Sequence, residues 1–173
     1  MVHMGKFSDE WYSHFMRPRD SVALFVCVAI CELAGIMGGV FTGPSVRTWY
    51  PKLTSPALTP PAWIFGGVWP ALFILMGIGL YLVWKKGFKQ KNVKAALNIF
   101  FVQLFLNILW SVVFFGLHDL FLSSIEILLL WASIIGTMVF FYRVSKPAAY
   151  MLIPYILWVT FAAYLTSAFA FLN

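Results

Sequence analysis

Charge is what this chain has least of. Only 10% of its 173 residues are Asp, Glu, Lys or Arg, against about 25% in soluble domains, and that shortage excludes a soluble body or a separate aqueous catalytic domain. Histidines number three and cysteines two. His3, His14 and His118 stand outside the apolar stretches without ligand-like spacing, so no metal centre is predicted. Cys27 and Cys31, four apart on one helix side, read as buried small thiols. The apolar stretches do not alternate in polarity, which excludes the roughly 10-residue strand pattern of a membrane barrel. A signal peptide is excluded as well, because residues 1–20 are polar, the apolar core after them is too long and no small-residue cleavage pattern follows.

What remains is 62% hydrophobic. Runs of about 20 apolar residues cross a bilayer as helices, and five such runs are predicted: Ser21–Phe41, Pro61–Trp84, Ala95–Leu117, Leu120–Tyr142 and Pro147–Leu172. Lipid accepts only structures that satisfy their backbone hydrogen bonds internally. The expected fold is therefore an all-α integral membrane protein, a five-helix bundle over residues 21–173 behind an N-terminal polar or interfacial segment, 1–20. In that segment Phe7, Trp11, Phe15 and Met16 follow Ser8 at helical spacing; it is either an interfacial helix or a disordered tail. Function must reside in the bundle and its short loops.

The basic residues orient the bundle. Lys6, Arg17 and Arg19 precede the first span, Lys85, Lys86, Lys89, Lys91 and Lys94 join the second to the third, and Arg143 and Lys146 join the fourth to the fifth. All three segments fall on one side, while the opposite side holds only Arg47 and Lys52. By the positive-inside rule the N-terminus is cytoplasmic and the C-terminus outside. The net charge of +6 is thus a topology signal and not a nucleic-acid surface, although the lysine loop suits contact with anionic headgroups.

The connector after the first span spends Trp49, Tyr50, Pro51, Pro56, Pro60, Pro61 and Trp63 where polarity and turns would suffice, and so reads as a lid. Thr59 is placed to cap the second span with Pro60 at its first position, and Ser145 to cap the fifth with Pro147 in its first turn. Pro70 and Pro154 lie deeper and would bend their helices beside Trp69 and Trp158. Stripes then mark inward faces. Glu32, Gly35 and Gly39 share one; Glu32 either faces an internal cavity or is a protonated acid bonded to a neighbouring helix. Gln103, Asn107 and Ser111 recur every fourth residue with Trp110 beside them, either as interhelical glue or as polar anchors. Phe65, Trp69 and Phe73 form a third face, and Tyr155, Trp158 and Ala162 a fourth. Such convergence suits a flat apolar ligand with few polar anchors. Trp11, Tyr81, Trp84, Tyr142 and Tyr150 fall near span ends and read as an interfacial belt, and Glu126 as a carboxyl near a helix N-terminus.

Three motifs in order carry a resemblance: Trp49-Tyr50-x-x-Leu53-x-x-Pro56-x-x-x-Pro60-Pro61-x-Trp63 with Trp69, then Asn107-x-x-Trp110 leading to Phe114-Phe115-Gly116, then Pro154-Tyr155-x-x-Trp158. From about Glu32 to the C-terminus the chain resembles the translocator protein family, also called the tryptophan-rich sensory protein or peripheral-type benzodiazepine receptor family. The resemblance implies a five-helix bundle, often a homodimer, whose cavity opens toward the first connector and binds porphyrins, sterols and isoquinoline carboxamides. Carried over by position, the ligand contacts fall on Gly39, Tyr50, Phe65, Trp69, Phe73, Asn107, Trp110, Ser111, Trp158, Ala162 and Leu165. It further implies a possible light- and oxygen-dependent breakdown of protoporphyrin IX involving Trp69 and Trp158. Glu126 falls where family members often carry an acid.

Two departures narrow that expectation. No basic residue follows Tyr164, so the animal family's cholesterol motif is incomplete, and Leu165-Thr166 stands where Leu-Asn is common. With its lysines in one loop the chain looks like a member from a bacterial cell membrane. The function expected is a receptor or carrier for tetrapyrroles without a cofactor, the macrocycle stacking on Trp69, Trp110 and Trp158 with Asn107 and Ser111 as anchors and Tyr50 closing over it. The alternatives are a photo-oxidase and a scaffold whose stripes only pack helices. No acid/base or nucleophile constellation supports a conventional enzyme.

Overall fold

The computed structural model describes residues 18–173; the expected interfacial helix around Phe7 to Met16 lies outside them. Five helices are long and apolar enough to cross a membrane. We label the elements α1 (Pro18–Thr48), α2 (Ala62–Trp84), α3 (Val93–Ser111), α4 (Leu120–Val144), a short α5 (Lys146–Tyr150) and α6 (Ile153–Leu172), with a 3₁₀ turn at Tyr50–Lys52 and a π turn at Val112–Gly116. The protein is an all-α, multi-pass membrane bundle.

Long-range contacts fix which ends lie together. Lys85 Nζ pairs with Asp20 Oδ2 at 3.2 Å, joining the start of α1 to the loop after α2. At the other end Ser45 Oγ donates to the Phe115 carbonyl at 2.7 Å and lies 2.6 Å from His118 Nε2. There too, Asn173 and Thr54 exchange two bonds, Thr54 N–H to Asn173 Oδ1 at 2.8 Å and Asn173 Nδ2 to the Thr54 carbonyl at 3.2 Å. The bundle therefore has a lysine-loop end and a connector end, with α1, α3 and α6 running toward the connector.

Packing follows the order α2, α1, α3, α4, α6 around the bundle. Side chains also tie helices across the bundle. Gln103 Nε2 reaches Met76 Sδ at 3.8 Å from α3 to α2, Asn107 Nδ2 donates to the Tyr155 hydroxyl at 3.0 Å from α3 to α6, and Trp131 Nε1 donates to Thr160 Oγ1 at 2.9 Å from α4 to α6. Interhelical side-chain hydrogen bonds of this kind hold helices that gain nothing from the hydrophobic effect in lipid. Between α2 and α6 the seam is closed by rings, Phe65 against Trp158 at 6.0 Å and Trp69 against Tyr155 at 6.5 Å.

Several local expectations are corrected. α1 continues two turns past Phe41, through Pro44, to Thr48; Thr42 and Thr48 turn their hydroxyls back onto the Gly38 and Pro44 carbonyls, so polar side chains there do not end the helix. Thr59 does not cap α2: its hydroxyl donates to the Pro56 carbonyl at 2.7 Å, and the helix starts at Ala62 behind Pro61, not at Pro60. Ser145 occupies the N-cap position before α5 but its side chain makes no capping bond. The fifth span is two helices, and Pro154 lies in the first turn of α6, where its missing N–H costs nothing, instead of bending a continuous helix. Asp119 caps α4, accepting from Leu122 N–H at 2.8 Å.

Candidate functional site

α1 and α2 cross closely in their lysine-loop halves and part toward the connector. A Cβ on Gly77 would lie 2.5 Å from Val28 Cα, and one on Gly35 2.5 Å from the Phe73 ring. Further up, Gly39 and Gly43 on α1 and Gly66 on α2 have nothing within 4 Å of a built Cβ. The space so opened is a cavity of about 410 Å³ between α1, α2 and α3, within the roughly 300–1,000 Å³ of small-molecule sites.

Its walls are aromatic and its anchors few. Phe73, Trp69 and Trp110 line it and, with Phe114 behind them on the smaller space, form a ladder with centroid spacings of 5.8, 6.4 and 5.3 Å and interplanar angles of 29°, 31° and 25°. Near-parallel faces of this kind suit a flat π system. Asn107 and Ser111 line the same space from α3, and Arg47 from the last turn of α1. The Trp110 indole N–H is buried and has no hydrogen-bond partner among the described residues, a donor that costs free energy to leave unpaired.

The residues singled out from the sequence divide into two groups. Gly39, Phe65, Trp69, Phe73, Asn107, Trp110 and Ser111 line the large cavity. Tyr50, Ala162 and Leu165 line a second space of about 20 Å³, on the far side of Phe65 and Trp110, which border both; it has room for about one water. Trp158 lines neither, resting against Phe65 and Phe161. Glu32 lines neither cavity, and its buried carboxyl oxygen has no hydrogen-bond partner among the described residues, so neither expected role for it is seen. Glu126 is 5% exposed and both its oxygens are likewise without a partner there. Gln103 belongs to the helix interface, whereas Ser111 both faces the cavity and packs 2.9 Å from a Cβ built on Gly38.

The connector is bolted on one side. Trp49 stacks on His118 at 4.2 Å and 19°, and meets Phe114 edge-on at 5.6 Å. Tyr50 sits among Phe65, Phe114, Phe115 and Phe169, where burial pushes its phenol up to about 12. Trp63, by contrast, is 78% exposed and faces away.

Arg47, Gly43, Thr42 and Gly66 line the cavity without having been singled out. A signal existed. Gly39, Gly43 and Arg47 are spaced by four and share a helix face, but that stripe is visible only if α1 runs to Thr48.

The π turn places the ceiling. With Leu117 N–H bonded to the Val112 carbonyl at 2.8 Å, the turn holds an extra residue. Trp110 thereby meets both Phe114, at 5.3 Å, and Phe115, at 5.7 Å.

Known proteins share this arrangement of sequence. Residues 27–172 match the TspO/MBR family. Relatives include a tryptophan-rich protein TspO of Chlorobaculum tepidum, 40% identical over 90% of this chain and 98% of its own, and one of Archaeoglobus fulgidus, 44% identical over 80% and 89%. A human translocator protein is 37% identical over 75% of this chain and 78% of its own. With five membrane helices, a tryptophan ladder and matches spanning most of its length, the chain belongs to the TspO/MBR family.

Proposed function

We propose that the protein is a membrane receptor or carrier that binds a tetrapyrrole, such as protoporphyrin IX, in the cavity between α1, α2 and α3. The observation that carries this reading is three near-parallel rings, Phe73, Trp69 and Trp110, with a cation, Arg47, on the same cavity. A tetrapyrrole acid has the matching parts, a flat apolar face for the rings and carboxylates for Arg47. Asn107 and Ser111 are the remaining polar anchors. Tyr50, Ala162, Leu165 and Trp158 lie behind Phe65 and Trp110 and support that wall, so they act on the ligand through it. By the distribution of basic residues the connector end faces away from the cytoplasm.

Tryptophan fluorescence titrated with protoporphyrin IX tests the site. Saturable quenching is expected for the wild type, with affinity reduced about tenfold in Trp110→Phe and several-fold in Arg47→Gln. Equal affinity in the wild type and in a Trp69→Phe/Trp110→Phe double variant would place the ligand elsewhere. The homodimer belongs to the same reading and is checked by the mass of the detergent-free complex.

A second reading is a light- and oxygen-dependent oxidation of the bound porphyrin. The 6.4 Å spacing of Trp69 and Trp110 on one cavity favours it, since an excited macrocycle lying against them has two oxidisable indoles at hand. Trp158, behind Phe65, is then less important than Trp69. Illumination in air should yield a discrete new absorbing product that Trp69→Phe abolishes; bleaching equal to that of free porphyrin leaves binding alone.

A further inference from the structure

A cavity larger than the aromatic one lies at the other end of the bundle. It is a groove of about 720 Å³ where the start of α1, the end of α2 and the start of α3 meet. The close crossing of Gly77 on Val28 and of Gly35 on Phe73 separates it from the aromatic cavity.

Its chemistry is ordered along its length. Arg19 and Lys94 stand at the lysine-loop end with Trp84 beside them, and Val26, Ile30 and Phe101 continue the walls into the membrane. α1 and α3 both start at this end, so both helices bring their cation to the rim and their apolar residues deeper. From Arg19 to Ile30 the helix rises roughly 16 Å, about half of a hydrocarbon core of about 30 Å. One leaflet has that depth. A tryptophan at the rim is where an interfacial indole belongs.

Lys85 is tied to Asp20 at 3.2 Å, whereas Arg19 and Lys94 form no ion pair among the described residues. A second copy of the chain is a poor occupant, because it would bring the same cations against them in a protein of net charge +6. A net-neutral phospholipid such as phosphatidylcholine sets a choline cation beside its phosphate, and the two rim cations would repel that choline.

We propose that this groove is a binding site for an anionic phospholipid, with its phosphate held by Arg19 and Lys94 and an acyl chain lying along Val26, Ile30 and Phe101. Basic pockets between membrane helices at a cytoplasmic surface recognise such headgroups. The site stands independently of whether the aromatic cavity takes a tetrapyrrole.

Native mass spectrometry of the full chain, delipidated in detergent and offered phosphatidylglycerol or phosphatidylcholine of equal chain length, tests it. The wild type should retain phosphatidylglycerol at least tenfold better. Arg19→Gln/Lys94→Gln should weaken phosphatidylglycerol about 25-fold, since each basic residue near an anionic surface is worth about a factor of five, and leave phosphatidylcholine unchanged. Arg19→Lys/Lys94→Arg should keep the preference. Val26→Trp, at a side chain 47% exposed, should block both lipids with the charges intact and the melting temperature unchanged. Arg143→Gln/Lys146→Gln, at the same end but outside the groove, should change retention less than twofold. Equal retention of the two lipids by the wild type overturns the proposal. So does an equal loss in the Arg143/Lys146 variant, which would mean general surface attraction, or a Val26→Trp variant that changes the oligomeric state but not lipid retention, which would mean a second copy.

Discussion

The two halves of the α1–α2 pair use the same residue for opposite ends. In the lysine-loop half, Gly77 lets α2 lie on the Val28 backbone, and a Cβ there would stand 2.5 Å from Val28 Cα. In the connector half, Gly39, Gly43 and Gly66 touch nothing within 4 Å of a built Cβ. Small residues in membrane helices are usually read as contact surfaces. Here one set makes a contact and the other withholds one, and the withheld contact is the cavity.

The sharpest way to break that contrast is to fill each half. Gly77→Val should cost about 3 kcal/mol or more, since the clash is with backbone and not with a movable side chain. Thermal melting in detergent would read it as a drop of many degrees. Gly66→Ala in the other half should leave the melting temperature unchanged or raise it, alanine being the better helix former by about 1 kcal/mol. If both substitutions destabilise equally, the connector half is packed after all.

Next comes ligand affinity. Gly39→Leu projects a side chain into the cavity from α1 and should lower protoporphyrin IX affinity about tenfold while the melting temperature holds. The same substitution with undiminished affinity would detach the ligand from this half of the bundle.

A smaller effect is expected from the pin that holds the connector. Ser45→Ala removes the bond to the Phe115 carbonyl and the contact with His118, a loss of about 1 kcal/mol. It should loosen the connector end alone, seen as faster amide exchange at 49–53 with the lysine-loop end unaltered.

The smallest effect concerns Tyr50, whose phenol is raised by burial from 10.0 to about 12. An acid weakened by folding adds stability that is complete below the unfolded value and fades as pH rises through the folded one. Stability should therefore decline between about pH 10 and 12, and Tyr50→Phe should flatten that decline with no change at neutral pH. An unchanged alkaline melting profile would mean that the phenol is wet.

How far this was legible depends on the kind of signal. The bundle was readable because each span is an apolar run bounded by charges or prolines, as at Lys85–Lys94 and Pro60–Pro61, and lipid leaves few other options. The α3 stripe was readable for a similar reason: Asn107, Trp110 and Ser111 share a face whatever lies opposite. Helix rotation across the seam was not. Trp158 and Trp69 stand on equally good stripes, yet only Trp69 reaches the large cavity, because Phe65 stands between Trp158 and that space. Arg47 escaped because Gly43 and Pro44 look like a helix end, and the hydroxyls of Thr42 and Thr48, bonded back one turn, accompany a helix that continues. The capping roles of Thr59 and Ser145 failed on geometry that composition does not carry, since Thr59 satisfies itself on Pro56.

The π turn at Val112–Gly116 makes chain length a property of the site. A π turn is an α-helix with one residue inserted, so a single deletion in this segment would restore regular winding without breaking α3. It would also turn everything beyond by about one residue's rotation, carrying Phe114 or Phe115 off the ceiling and shifting His118 away from Ser45. Among relatives, a one-residue gap at this position would mark a reshaped binding space even where every tryptophan is kept.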